Sequence, residues 1–279
     1  FPGVSCMFYC GFCGRNQSQK YPMSILDSSK KTFDKLFSEI PSSTALSISG
    51  GLEPLTNAKI GEIISSAKSR NINVPLITNG YSLSENFLKR TPGIWDLDSL
   101  RVSLYGVDKN TYQFITRVEK SYEIVKKNVI TFLKYRNKIN KNLKFGFNFI
   151  IIPENIDQLN SIILLIKEIN ENVDNGEGVN FLTLRDDYQS VTGNMEEFDK
   201  ERKYKLNSKM DYEIRKRLIE KLKEFDDSKN NLCPNLYVDY GYSLEALSNN
   251  VFDKELHKVT YQNMRGLGFT QMSVAIDLY

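Results

Sequence analysis

The chain has 279 residues, of which 41 % are hydrophobic and 25 % charged, an ordinary globular balance and enough length for one large α/β domain. Its 37 basic and 34 acidic residues leave a formal charge of +3, and no basic run is interleaved with aromatics, so no nucleic-acid partner is expected. Four cysteines, three of them in one loop, do not make a disulfide framework, and no apolar run approaches the roughly 20 residues of a membrane span. With no signal peptide either, a reducing, cytoplasmic setting is expected.

The first fifteen residues, FPGVSCMFYCGFCGR, carry Cys6, Cys10 and Cys13 at a Cys-x3-Cys-x2-Cys spacing, with Phe12 directly before the third. Three thiolates this close can hold three corners of a cubane iron–sulfur cluster and leave the fourth iron open, whereas closed clusters use four cysteines. A zinc site completed by Cys233 or His257 is the competing reading. Zinc sites usually come as two cysteine knuckles, and this chain has a single triplet. The chain opens on Phe1 rather than Met and ends within an apolar run at Tyr279, so it is expected to be a piece of a longer polypeptide.

Past the loop, Phe33, Leu36, Phe37 and Ile40 repeat at helical spacing. Thr44–Ser49 reads as a strand and is followed at once by Gly50-Gly51-Leu52-Glu53-Pro54. Ile60, Ile63, Ile64 and Ala67 mark a helix, Val74–Thr78 a strand closed by Asn79-Gly80, and Ser82 with Glu85 a capping box for a short helix. Ser99–Leu104 is the next strand, with a helix starting at Asp108 and a longer one over Tyr122–Tyr135. Lys144–Ile152 is a strand ended by Pro153, and Leu159, Ile162, Ile163, Ile166 and Ile169 form one helical face. Val179–Leu184 is a strand, residues 185–207 are polar and irregular, and Ile214, Leu218, Leu222 and Phe225 give a further helix. Leu236–Asp239 and Met272–Leu278 read as late strands.

Strand and helix alternate at least five times, which argues parallel β/α units joined by right-handed crossovers. The expected fold is α/β: a full or partial (β/α) TIM-type barrel, (β/α)6-like. Residues 1–205 would form the barrel core with its cysteine loop at 6–13, and residues 206–279 would complete or cap it. In such folds chemistry sits at the carboxyl ends of the strands. The glycine pair, Asn79, Ser103 to Gly106, Pro153 to Asn155 and Arg185 all fall there.

The triplet with its penultimate aromatic resembles the signature of the radical S-adenosylmethionine (SAM) superfamily, and Gly50-Gly51-Leu52-Glu53-Pro54 resembles that superfamily's Gly-Gly-Glu-Pro motif, with Leu52 inserted. The resemblance implies a 4Fe–4S cluster on Cys6, Cys10 and Cys13, whose open iron chelates SAM. It implies SAM contacts at Phe12, Gly50, Gly51, Glu53, Pro54, Ser103 and Ile151. Asn79, Tyr105, Asn148 and Arg185 would face the substrate, an arginine being suited to clamp a carboxylate or phosphate. The reduced cluster would split SAM to a 5′-deoxyadenosyl radical, which abstracts hydrogen from a small molecule, with the electron coming from an external donor such as flavodoxin or ferredoxin.

Within the superfamily, SGGLEPL (49–55), LTLRDDY (182–188) and VDYGYSL (238–244) look most like the group of nucleotide-sugar deaminases and cytosylglucuronic acid decarboxylases. That likeness implies deamination, decarboxylation or dehydrogenation of a sugar. A maturase, methyltransferase or activase acting on peptide or RNA is the alternative, and a non-enzymatic zinc module the outside one.

Overall fold

Pro75–Thr78 (β1), Ser99–Leu104 (β2), Lys144–Ile151 (β3), Phe181–Asp186 (β4) and Tyr237–Tyr240 (β5) form one sheet in chain order, and each neighbouring pair is parallel. The computed structural model describes residues 2–11, 13, 21–22, 24–42, 44–173, 177–186 and 212–240. Consecutive parallel strands need a crossover of a dozen residues or more. Here helices supply them: α3 (Glu85–Arg90) between β1 and β2, α4 (Lys109–Thr116) and α5 (Ser121–Ile139) between β2 and β3, α6 (Leu159–Glu171) between β3 and β4, and α7 (Tyr212–Leu232) before β5. Two further helices, α1 (Ile25–Glu39) and α2 (Ile60–Lys68), precede the sheet. The architecture is the expected α/β partial barrel, an arc that does not close among the described residues.

Thr44–Ser49, expected as a strand, makes only isolated parallel bridges, Ala45 with Asn73 and Ile48 with Leu76. The reason is covalent. Leu46 N–H donates to Asn73 O, and Ile48 N–H to Pro75 O, both at 2.7 Å, but Pro75 has no N–H to return to this segment. One missing rung breaks the ladder without dislodging the segment. The capping expectation also needs correction: the short helix is capped by Ser84, whose side chain accepts from Phe87 N–H, not by Ser82. The late strand at Met272–Leu278 and residue His257 lie outside the described residues.

Alternation along the strands gives the sheet two unlike faces. Leu76, Leu100, Val102, Phe145, Phe147, Phe149, Leu182 and Leu184 are all essentially fully buried. Leu104 and Phe147 line one small cavity with Tyr112 of α4, Val125 and Val129 of α5, and Leu165 and Ile169 of α6. The Phe145 ring packs on Phe132 of α5, which in turn stacks on Trp95 at 5.2 Å. Burying side chains of this size is worth roughly 1.5–3 kcal/mol each. The opposite face carries Arg101, Ser103, Gly146, Asn148, Ile150, Phe181, Thr183, Arg185 and Asp239. It is polar where its partner is oily.

At the amino end of β3 and β4 a fully buried arginine, Arg136 of α5, fastens helix to sheet. Its guanidinium donates to Asn180 Oδ1 (2.9 Å), Gly178 O (3.1 Å), Leu143 O (3.4 Å) and Glu177 O, while Asn180 Oδ1 also accepts from Phe145 N–H at 2.9 Å. A planar five-donor group can serve more acceptors at once than the three-donor ammonium of a lysine. Arg136→Ala should therefore lower the unfolding free energy by on the order of 3 kcal/mol in urea titration. Arg136→Lys should recover only part of it.

Candidate functional site

The cysteine loop is rooted by backbone groups that only a close approach can satisfy. Glu53 N–H donates to Ser5 O at 2.9 Å, and the Thr56 hydroxyl accepts from Val4 N–H (3.1 Å) and Ser5 N–H (3.2 Å) while lying 2.6 Å from Glu53 O. Asn57 donates from its amide to Pro2 O at 2.9 Å. Gly3 permits this contact, since a Cβ there would come within 2.7 Å of the Leu52 carbonyl carbon. The residue inserted into the glycine motif is thus accommodated by a glycine on the other strand of the loop.

Glu53 is the junction of the site. Its carboxylate is buried and accepts from the Thr78 hydroxyl (2.5 Å), Asn79 N–H (2.7 Å) and Leu55 N–H (3.0 Å). Burial pushes its carboxyl up, and these three donors pull the other way. A side chain expected to meet SAM also joins the loop to the carboxyl end of β1. Gly50 and Gly51 remain accessible in the turn beside it, and Pro54 is buried at the start of a short 3-10 helix.

Asn79, brought in by that bond, directs its amide nitrogen at the sulfurs of Met7 (3.1 Å) and Cys6 (3.8 Å). Phe8, between Cys6 and Cys10, is buried in an aromatic nest, with edge-on contacts to Tyr81 (5.5 Å), Tyr105 (5.8 Å) and Tyr112 (6.3 Å). Tyr9, its neighbour, is exposed and donates its N–H to Thr116 O at 2.9 Å. Tyr105 therefore packs behind the loop. Burial pushes its phenol well above the usual range, with Cys10 adding to the effect.

Cys10 is buried, Cys6 and Cys13 half-buried, and Cys13 N–H donates to Cys10 O at 3.0 Å. Burial pushes the Cys6 thiol up, with Glu53 and Cys13 contributing, while the Phe8 N–H and the Asn79 amide oppose it. Ionising the Cys6 thiol is unfavourable unless a cation accompanies it, as iron does when it binds thiolate. Among the described residues no three cysteine, histidine or acidic side chains converge on a point where one metal ion would sit. A three-thiol loop with an amide aimed at the Cys6 sulfur suits a cluster that spreads its ligands over several irons.

The inner face of the sheet completes the site. Ser103 on β2, Asn148 on β3, Thr183 on β4 and Asp239 on β5 are in register, one polar residue per strand. Ser103, Asn148 and Thr183 are buried, yet Asn148 Oδ1 and Thr183 Oγ1 have no hydrogen-bond partner. Buried polar atoms are seldom left so, which makes this face a candidate ligand surface. Arg185, one inward position further along β4, is half-buried. Ile151 is turned into the core, so alternation makes Ile150, not Ile151, the inward residue at the end of β3. A SAM contact at Ile151 would fall to its backbone. Phe12 lies outside the described residues. The sequence reading missed Arg101, Thr183 and Asp239, although a charge or hydroxyl inside an otherwise apolar parallel strand is a signal in itself.

Removing the Glu53 carboxylate orphans three donors at once. Glu53→Ala should cost about 2–4 kcal/mol in denaturant unfolding of the iron-free protein and lower the iron retained after anaerobic reconstitution. Wild-type stability with full iron retention would mean the loop is held by other bonds.

Residues 1–166 match the Radical SAM superfamily. The chain is 31 % identical over 280 residues to the dTDP-4-amino-4,6-dideoxy-D-glucose ammonia-lyase of Streptomyces venezuelae, an alignment covering 100 % of this chain and 54 % of the relative. Among solved structures, Streptococcus suis SuiB superimposes with a TM-score of 0.55 at 17 % identity, over 86 % of this chain and 48 % of that one. SuiB bound to S-adenosylmethionine gives 0.52 at 16 %, over 86 % and 46 %. At such identity the SuiB likeness is one of fold. This chain spans about half the length of these proteins. The superfamily's cofactors are a 4Fe–4S cluster and SAM, and the match over residues 1–166 contains the cysteine loop, the glycine motif and strands β1 to β3. This chain belongs to the radical SAM superfamily.

Proposed function

We propose that this chain carries the radical-generating part of a lyase that acts on a nucleotide-linked amino sugar. The observation that carries the proposal is the 31 % identity, along the whole of this chain, to a nucleotide-sugar ammonia-lyase. The polar inner face of the sheet supports it, because a sugar needs hydroxyl partners and a dry wall more than it needs a greasy cleft. Cys6, Cys10 and Cys13 would hold the cluster. When bound, cluster and SAM supply a carbon-centred oxidant able to take a hydrogen atom from a C–H bond.

The protein's own part is placement. Gly50 and Gly51 leave backbone open to the methionine end of SAM, and Ser103 with the backbone after Asn148 lines the place for its nucleoside. Thr183 and Arg185 lie further round the arc, where the sugar nucleotide would lie. The buried helix-facing side of the sheet keeps the strand ends rigid, which holds the two ligands in reacting distance. The electron would come from an external flavodoxin- or ferredoxin-type donor.

Anaerobic reconstitution should yield about four irons and four sulfides per chain. The paramagnetic signal of the reduced protein should change on adding SAM and be lost in Cys10→Ala. With dTDP-4-amino-4,6-dideoxyglucose and a reductant, ammonia and 5′-deoxyadenosine should appear together. Zinc without sulfide, or a cluster indifferent to SAM, would overturn the cofactor assignment. A SAM-responsive cluster that releases no ammonia would overturn the substrate.

A further inference from the structure

Arg101 has no part in the reading so far, yet it sits on the inner face of the arc. It lies on β2 in register with Gly146 of β3 and Phe181 of β4. The Phe181 ring folds over Gly146, where an added Cβ would meet it at 2.3 Å, and the Arg101 guanidinium lies over that ring, 5.2 Å from its centroid. Phe181 is thus a floor and Arg101 a cation laid on it. One layer towards the carboxyl end come Asn148 and Thr183, whose Oδ1 and Oγ1 are buried and unpartnered. Arg185 is one layer beyond.

Burial lowers the proton affinity of Arg101, and Arg185 lowers it further, more than Asp239 restores it. Two cations and one anion on a desolvated wall leave an excess positive charge. Two cations on one face, with the Asn148 and Thr183 layer between them, leave room for an anion that relieves the repulsion and accepts from their donors. Hydroxyl and amide groups beside them add hydrogen bonds to the same ligand.

We propose that Arg101 and Arg185, with Asn148 and Thr183 in the layer between them, form an anion subsite that takes the phosphate oxygens of the nucleotide-linked substrate. The assignment rests on the substrate class proposed above and gives that class a physical cause. The same chemistry would fit the carboxylate of SAM, so the test separates the two sources.

Thymidine diphosphate is titrated calorimetrically into the anaerobically reconstituted chain, and SAM affinity is measured in parallel. Arg101→Gln and Arg185→Gln should each weaken thymidine diphosphate by roughly tenfold or more while leaving SAM within about twofold. Arg101→Lys keeps the charge and the stem over Phe181 and should recover much of the loss. Equal loss in the Lys and Gln variants would mark a packing defect and overturn the subsite. So would unchanged thymidine diphosphate affinity in both Gln variants, or a loss confined to SAM, which would place the pair on the methionine carboxylate. Amino-sugar turnover with unaltered nucleotide affinity in the variants overturns the subsite but leaves the proposed function standing. Arginine-dependent nucleotide binding without turnover does the reverse.

Discussion

One buried carboxylate holds the site together. Glu53 joins the turn after the glycine pair to the end of β1, and through its own backbone it ties both to the root of the cysteine loop. Desolvating a carboxylate is expensive, and three well-placed donors are what make it tolerable. The same bonds fix Asn79, whose amide then points at the sulfurs of Cys6 and Met7. Cluster loop, glycine motif and strand end are thereby positioned by one side chain, and an error in any of them would be felt by all three.

Around that junction the sheet separates two jobs by its alternation. The helix-facing side chains of β1 to β4 make a continuous apolar layer that resists movement. Among the described residues no helix packs on the opposite face, which leaves it free to be polar. Unsatisfied oxygens on Asn148 and Thr183, and like charges on Arg101 and Arg185, are poor choices for stability alone. Conflicts of this kind are what proteins tolerate at functional surfaces, which is the ground for the proposed anion subsite.

Much was legible in the sequence for definite reasons. The cysteine spacing is a local covalent pattern, so it can be read without a fold. The helices α5, α6 and α7 and the strands β2 and β3 announced themselves through strong 3.6-residue periodicity or long apolar runs. Less local features were harder. Ser84 rather than Ser82 caps α3 because the geometry of the preceding turn, not the residue type, chooses between two serines. The strand before β1 was reduced to bridges by Pro75 on its partner, a residue thirty positions away in the chain.

The sequence alone determined that three thiols share a loop, that β and α units alternate, and that polar residues stand at strand ends, since each depends on residues near one another in the chain. Only the tertiary structure decided which of them meet. That Glu53 is spent on Thr78 and Asn79, that Tyr105 packs behind Phe8, and that Ile150 rather than Ile151 turns inward all follow from register and side-chain direction across strands. The placing of Arg101 and Arg185 is of the same kind. Residues 84 positions apart share one face because two crossovers return the chain to the same sheet, and no local pattern encodes that.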